Sequence, residues 1–293
     1  MPTFKLSVIT DEITQDFGHA LEVAAKEFGL GLVEIRGLWG KNIMALDAKE
    51  IAEARRLLEK FKLRVSSIAS PIFKVDWPGA PVSRMRDRDQ FGANYTLEQQ
   101  DELLERTFEL TRVFQVDHIR IFDFWRLEDV KPFRAAMDAK LIEAARKASK
   151  RRITLLLENE FACNTATGAE ARRTLDAVRS QYFKLNWDPG NAAKAGETPF
   201  PDGYAKLPKN RIGYMHCKDA ARKTDGTVEW MKMGGGFIDW VGQFRALKRD
   251  GYRGVTSLET HWRCRHTRRV VAPEHGRNER SIATSKCAVT LGF

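Results

Sequence analysis

The sequence predicts an α/β fold, a (β/α)8 TIM barrel with an atypical C-terminal segment in place of a clear eighth helix. Three observations carry that expectation. Eight short, largely apolar runs alternate with longer helical patterns along 293 residues. Acids and one histidine, Glu34, Glu158, Asp188, His216 and Glu259, stand where several of these runs end. No G-x-G-x-x-G follows any run, which counts against a doubly wound dinucleotide-binding sheet.

The runs are "FKLSVIT" (4–10), "LVEIR" (32–36), "RVSSIAS" (64–70), "HIRIFDF" (118–124), "ITLLLEN" (153–159), "YFKLNWD" (182–188), "IGYMHCK" (212–218) and "GVTSLET" (254–260). Most are short and apolar on both faces, as strands covered on both sides should be. Helices are expected between them. Asp47 and Glu50 have capping-box spacing before Ile51, Ala54, Leu57, Leu58 and Phe61. Thr96 and Gln99 repeat it before Leu103, Leu104, Phe108 and Leu110, and Thr167 and Glu170 repeat it before Leu175 and Val178. Val130, Phe133, Met137, Leu141 and Ala145 mark a further helix. The stretch 76–95 is the longest irregular insertion, read as a lid over the barrel mouth or a solvated loop. "MGGGF" (233–237) reads as a flexible turn.

Composition bounds the function classes. The net charge is +10, but residues 263–293 hold seven Lys/Arg against two Glu, half of that excess. The rest is mildly basic, so no nucleic-acid partner is expected. No window approaches 18 uncharged apolar residues, so no membrane partner is expected either. The N-terminus lacks a signal-peptide pattern and the four cysteines are scattered, which predicts reduced thiols and a cytoplasmic location.

Acids converging on one barrel mouth would repel one another without positive charge between them. Three carboxylates and an imidazole around one divalent ion resolve that conflict. Such oxygen-rich sets favour Mn²⁺, Mg²⁺ or Co²⁺, while Zn²⁺ usually recruits more nitrogen or sulfur. Singly, an acid at a strand end is more often a cap or ion-pair partner, and a lone histidine is more often structural. The ordered combination carries the expectation.

The motifs "LLLENE" (155–160), "NWDPGN" (186–191), "YMHCKD" (214–219), "GGGFIDW" (234–240) and "SLETHW" (257–262), with "SVITDEI" and "LVEIRGLW" before them, resemble the xylose-isomerase-like TIM-barrel family of sugar phosphate isomerases and epimerases. The resemblance spans about residues 4–262. It implies that Glu158, Asp188, His216 and Glu259 hold one divalent ion, with manganese favoured. It also implies that Glu158 and Glu259 act as acid and base on a small carbohydrate through an enediolate. Arg222 matches the place where ketose epimerases of this kind often bind substrate. Glu34, Arg36, Lys74, Asn191 and His261 are further candidates for substrate contacts, Arg36 and Lys74 through oxygens or phosphate. His261 is expected to share a strand face with Glu259. A dehydratase of a keto-inositol or similar polyol fits the same residues, since elimination begins with the same proton abstraction. Rivals of other classes are a sugar-binding barrel without turnover and an endonuclease relative. A homo-oligomer is compatible with such a barrel.

Two departures stand out. Several family members carry D-x-x-H where this chain has Asp188-Pro-Gly-Asn191, which leaves the substrate open. After Trp262 the chain shows no sustained apolar stripe, so 263–293 is expected to be an irregular basic tail on a single domain with its core at 4–262, as a shifted reading frame would produce. Cys264 and His266 therefore read as non-ligands, although "LETHWRCRH" (258–266) alone suggests a local zinc site.

Overall fold

A computed structural model of the chain describes residues 4–81 and 89–262. All eight expected runs form barrel strands: β1 (Lys5–Val8), β2 (Leu32–Ile35), β3 (Arg64–Ala69), β4 (His118–Ile121), β5 (Thr154–Glu158), β6 (Phe183–Trp187), β7 (Ile212–Cys217) and β8 (Val255–Leu258). They pair in parallel in the order β1-β8-β7-β6-β5-β4-β3-β2. The remaining seam, between β1 and β2, is crossed by a single parallel bridge between Ile9 and Glu34, so the barrel is nearly closed. Leu155, Leu156 and Leu157 are all fully buried, as expected for strands with barrel interior on one side and helices on the other.

The connections are helical because parallel neighbours need a crossover. The helices used below are α1 (Phe17–Glu22), α2 (Ala48–Phe61), α3 (Gln100–Phe114), α4 (Arg134–Lys150), α5 (Gly168–Ala177), α6 (Pro189–Lys194) and α7 (Trp240–Arg249). Both halves of the capping box form at α2 (Asp47, Glu50) and at α5 (Thr167, Glu170). At α3 only one half forms: Gln99 Oε1 accepts from the Thr96 N–H at 2.9 Å, and the helix starts at Gln100. The next residue, Gln100, turns inward, accepting from Phe73 N and donating to Thr96 O. Val130 and Phe133 precede α4, whose buried face carries Met137, Leu141 and Ala145.

Two small hairpins follow β2 (Gly37–Leu38 with Lys41–Asn42) and β7 (Asp219–Arg222 with Val228–Met231). The glycine run after the second is bonded to Asp219. Gly234 and Gly236 donate their N–H groups to Asp219 Oδ2 at 2.9 and 3.0 Å. A Cβ on Gly236 would sit 2.2 Å from the Ala220 carbonyl oxygen. Among the described residues no helix is long and apolar enough to cross a membrane. The expectations for the tail, Cys264 and His266 fall outside the described residues.

Candidate metal centre

Each ligand candidate is placed by the strand it ends. Glu158 closes β5, in register with Asn186 of β6. Asp188 follows β6 and caps α6, accepting from Asn191 N at 2.9 Å through Oδ1. Asn159 clamps the same turn, accepting from Asp188 N and donating to the carbonyls of Asp188 and Ala166. His216 lies within β7, and Glu259 follows β8 with its N–H bonded to Cys217 O. The four side chains are at most 1% exposed. One ligand atom from each lies within 4.8 Å of the others.

The donor chemistry fits a divalent cation. Glu158 Oε2, Asp188 Oδ2, His216 Nδ1 and Glu259 Oε2 are buried without a directed hydrogen bond. A buried acceptor left so costs about 1–3 kcal/mol, more when charged. His216 Nε2 lies 3.0 Å from Glu34 Oε2, which fixes the ring and leaves Nδ1 toward the cluster, 3.2 Å from Glu259 Oε2. Burial disfavours the imidazolium, but Glu34, Glu158 and Glu259 outweigh it and raise the His216 pKa well above its ordinary value. Burial pushes Asp188 up to about 6 against the pull of Lys218. Glu158 and Glu259 are held low despite burial, the first by His216 and Arg120, the second by Lys218 and the histidines.

Three cations border the cluster. Arg36 donates to Asp11, Glu12 and Glu259 at 3.0, 2.7 and 2.5 Å, using all three nitrogens. Arg120 Nη1 stands 3.3 Å from Glu158 Oε2 and 3.8 Å from Glu259 Oε1. Neither Arg120 Nη1 nor Glu158 Oε2 makes a directed bond, so this is proximity of charge. Lys218 Nζ lies 2.8 Å from Glu259 Oε2 and 3.1 Å from Asp188 Oδ2. Aromatic rings form the rim. Phe91, from the long insertion, lies over Arg36, Lys74 and Arg120 at 4.4, 4.4 and 4.9 Å. Trp230, on the second hairpin, faces Lys218 and His261. A cleft of about 310 Å³ opens beside Arg36, Glu12, Phe91 and His261.

The structure thus brings Glu158, Asp188, His216 and Glu259 together. Asn191 joins them by donating to Glu158 Oε1 at 3.0 Å. The other candidates stand outside this four-residue set. Glu34 is fully buried behind His216. Arg36 is committed to carboxylates rather than open to substrate. Lys74 pairs with Glu160 at 3.4 Å under Phe91, Phe122 and Trp125. Arg222 is exposed and stacks on Phe237, outside the buried cluster. His261 is near Glu259 for a reason other than strand alternation: β8 ends at Leu258 and the chain turns at His261 (φ 49°). Its N–H then donates to Glu12 Oε2, and Nε2 sits 3.8 Å from Glu259 Oε1. Sequence reasoning missed Lys218, Arg120, Glu12 and Asn159. The signal for Lys218 was present, since residues two apart on a strand share a face with each other, here with His216.

The sequence profile of the xylose isomerase-like TIM barrel family matches residues 23–284, running beyond Trp262, where the resemblance read from motifs ended. No curated protein sequence matches significantly. Among solved structures, a xylose isomerase-like TIM barrel/4-hydroxyphenylpyruvate dioxygenase fusion protein is similar at TM-score 0.68 and 17% identity. That match covers 88% of this chain, which spans only 39% of the fusion. A probable 3-DHS dehydratase of petrobactin synthesis from Bacillus anthracis is similar at TM-score 0.64 and 18% identity, over 87% of this chain and 92% of that one. A D-allulose 3-epimerase from Methylomonas sp., in complex with D-allulose, is similar at TM-score 0.63 and 19% identity, over 88% and 84%.

Proposed function

The chain belongs to the xylose isomerase-like TIM barrel family, and from that premise we propose that it is a divalent-metal-dependent sugar isomerase or epimerase working through an enediolate. The observation that carries this reading is that Glu158, Asp188, His216 and Glu259 each bury one atom without a directed hydrogen bond, and that one ligand atom of each residue lies within 4.8 Å of the others. These residues would hold the ion, manganese being our choice for a three-oxygen, one-nitrogen set. When bound, such an ion supplies charge stabilisation to the enediolate oxygens.

The chain's own residues do the rest. Glu158 or Glu259 takes the proton from the substrate carbon, and the same or the opposite carboxylate returns it. Return to that carbon from the other face is epimerisation, and return to the neighbouring carbon is isomerisation. Arg36 orients Glu259, Asn191 orients Glu158, and Glu34 orients His216. Ketohexoses such as D-allulose, the sugar bound to the similar epimerase, are the first substrates to try.

The test is exchange of a substrate carbon-bound proton with D₂O, followed by NMR on Mn²⁺-loaded protein over ketoses and inosose-like ketones. Exchange that disappears on chelation and in Glu158→Gln is expected. No exchange across the panel would overturn the proposal in favour of a barrel that binds without turnover. Product analysis separates isomerisation, epimerisation and dehydration.

A further inference from the structure

Lys218 occupies a place that the acid/base scheme does not use. Its Nζ approaches Glu259 Oε2 at 2.8 Å and Asp188 Oδ2 at 3.1 Å, and donates to Asn191 Oδ1 at 3.4 Å, with the side chain 1% exposed. The first two oxygens are among the four buried ligand-candidate atoms without a directed hydrogen bond. The ammonium therefore faces lone pairs that a divalent ion would also need. Two positive centres drawing on the same oxygens repel each other.

The three bordering cations differ in how they are held. Arg36 is tied from outside the cluster by Asp11 and Glu12, and Arg120 Nη2 donates to the Ala69 carbonyl at 3.1 Å. The oxygen partners found for Lys218 Nζ all belong to the cluster, and its stem is a flexible four-carbon chain. Its backbone packs closely against the start of α6: the Lys218 carbonyl oxygen sits 2.5 Å from where a Cβ on Gly190 would be. The Trp230 ring, 5.1 Å from Nζ, offers an aromatic face to a displaced ammonium.

Resting on the metal reading of the site, we infer that Lys218 is a positioning residue, an internal counter-ion. Its ammonium holds Asp188 and Glu259 in ligand positions before loading, yields those oxygens when the divalent ion enters, and so sets metal affinity by opposing it.

The test needs no turnover. Mn²⁺ is titrated calorimetrically into metal-free full-length wild type, Lys218→Met and Lys218→Arg at one pH, with thermal stability of the metal-free proteins measured in parallel. Lys218→Met should bind Mn²⁺ at least about 10-fold more tightly and melt below wild type without metal. Lys218→Arg, which keeps the charge, should bind no more tightly than wild type. Lys218→Gln replaces Lys218→Met if the latter does not fold. Binding by the neutral variant that is equal to or weaker than wild type overturns this inference and leaves the centre standing. Absence of Mn²⁺ binding in every protein overturns the centre as well.

Discussion

The two halves of the barrel mouth hold their carboxylates by different means. On the β5–β6 side, the directed hydrogen bonds at Glu158 and Asp188 come from amides and backbone groups: Asn191 on Glu158, Asn159 on both sides of Asp188, and the N-terminus of α6. Arg120 and Lys218 add only charge nearby. On the β8–β1–β2 side, Glu259 is positioned by ions, with Arg36 linking it to Asp11 and Glu12, and His261 adding a second contact to Glu12. The difference follows from the local chain. Capped helices begin just after β6 and shortly after β5, so N–H groups are at hand. After β8 the described chain turns at His261 without a helix, and the β1–β2 seam has one bridge. Charge does there what backbone does opposite.

The largest effect expected is on turnover. Glu158→Gln and Glu259→Gln should each lower proton exchange by about 10³-fold, within the range for a lost general acid or base. Only Glu259→Gln should also lower the melting temperature of the metal-free protein, because it removes a partner from Arg36 and Lys218. Equal melting losses in the two variants would break the comparison. Next comes stability. Arg36→Met leaves three buried acids short of a partner and should cost about 3–5 kcal/mol in denaturant unfolding. Asn159→Ala removes neutral bonds and should cost about 1–3 kcal/mol. The reverse ranking would show that the ionic half contributes less than its geometry implies.

Glu34 joins the halves, reaching from the β2 side to the ring of His216. Glu34→Gln keeps the size of the side chain but weakens its hold on Nε2. It should lower Mn²⁺ affinity by about 10–100-fold in a calorimetric titration, as lost partners of ligating histidines do elsewhere. Unchanged affinity would place Glu34 in a purely structural role.

How much of this was legible in the sequence depends on whether a residue's environment is local. Strands and most capped helices follow from runs and spacings, and the five strand-end candidates Glu34, Glu158, Asp188, His216 and Glu259 from strand ends, all local properties. The choice of four ligands among them came from the family resemblance. The Thr96–Gln99 box forms only by half, and the helix starts one residue after it at Gln100, whose side chain bonds to Phe73 N, 27 residues away. The ion-pair partners of Arg36 and Lys74 could not be named from the sequence because Glu259 lies 223 residues and Glu160 86 residues away. Distance also hid the Glu12–His261 contact, which spans 249 residues and exists only once β8 returns beside β1. Lys218 alone among the missed residues could have been found locally, from its two-residue spacing to His216.

The smallest effect expected tests the backbone-built half. Glu170, at the start of α5, accepts from the N–H groups of Ala166 and Thr167 at 2.9 and 3.0 Å and from Arg126 at 2.6 Å, ordering the turn that follows Glu158. Burial raises its pKa, but Arg126 and those two N–H groups outweigh it, so the folded value lies below the ordinary 4.5. A depressed carboxylate stabilises the fold fully above its unfolded pKa and loses that contribution as pH falls through the folded one. Glu170→Gln should therefore cost about 1 kcal/mol at neutral pH, the usual scale for a helix cap. The gap to wild type should close as the pH drops below 4.5. Denaturant unfolding of both proteins between pH 7 and acid is the measurement. Glu259 should show no change in its hold on Mn²⁺ in this variant, because no bond in the Glu170 network crosses to the ionic side. A loss of Mn²⁺ affinity as large as that of Glu34→Gln would mean that the two halves of the mouth are mechanically coupled, and that their separate construction does not make them independent.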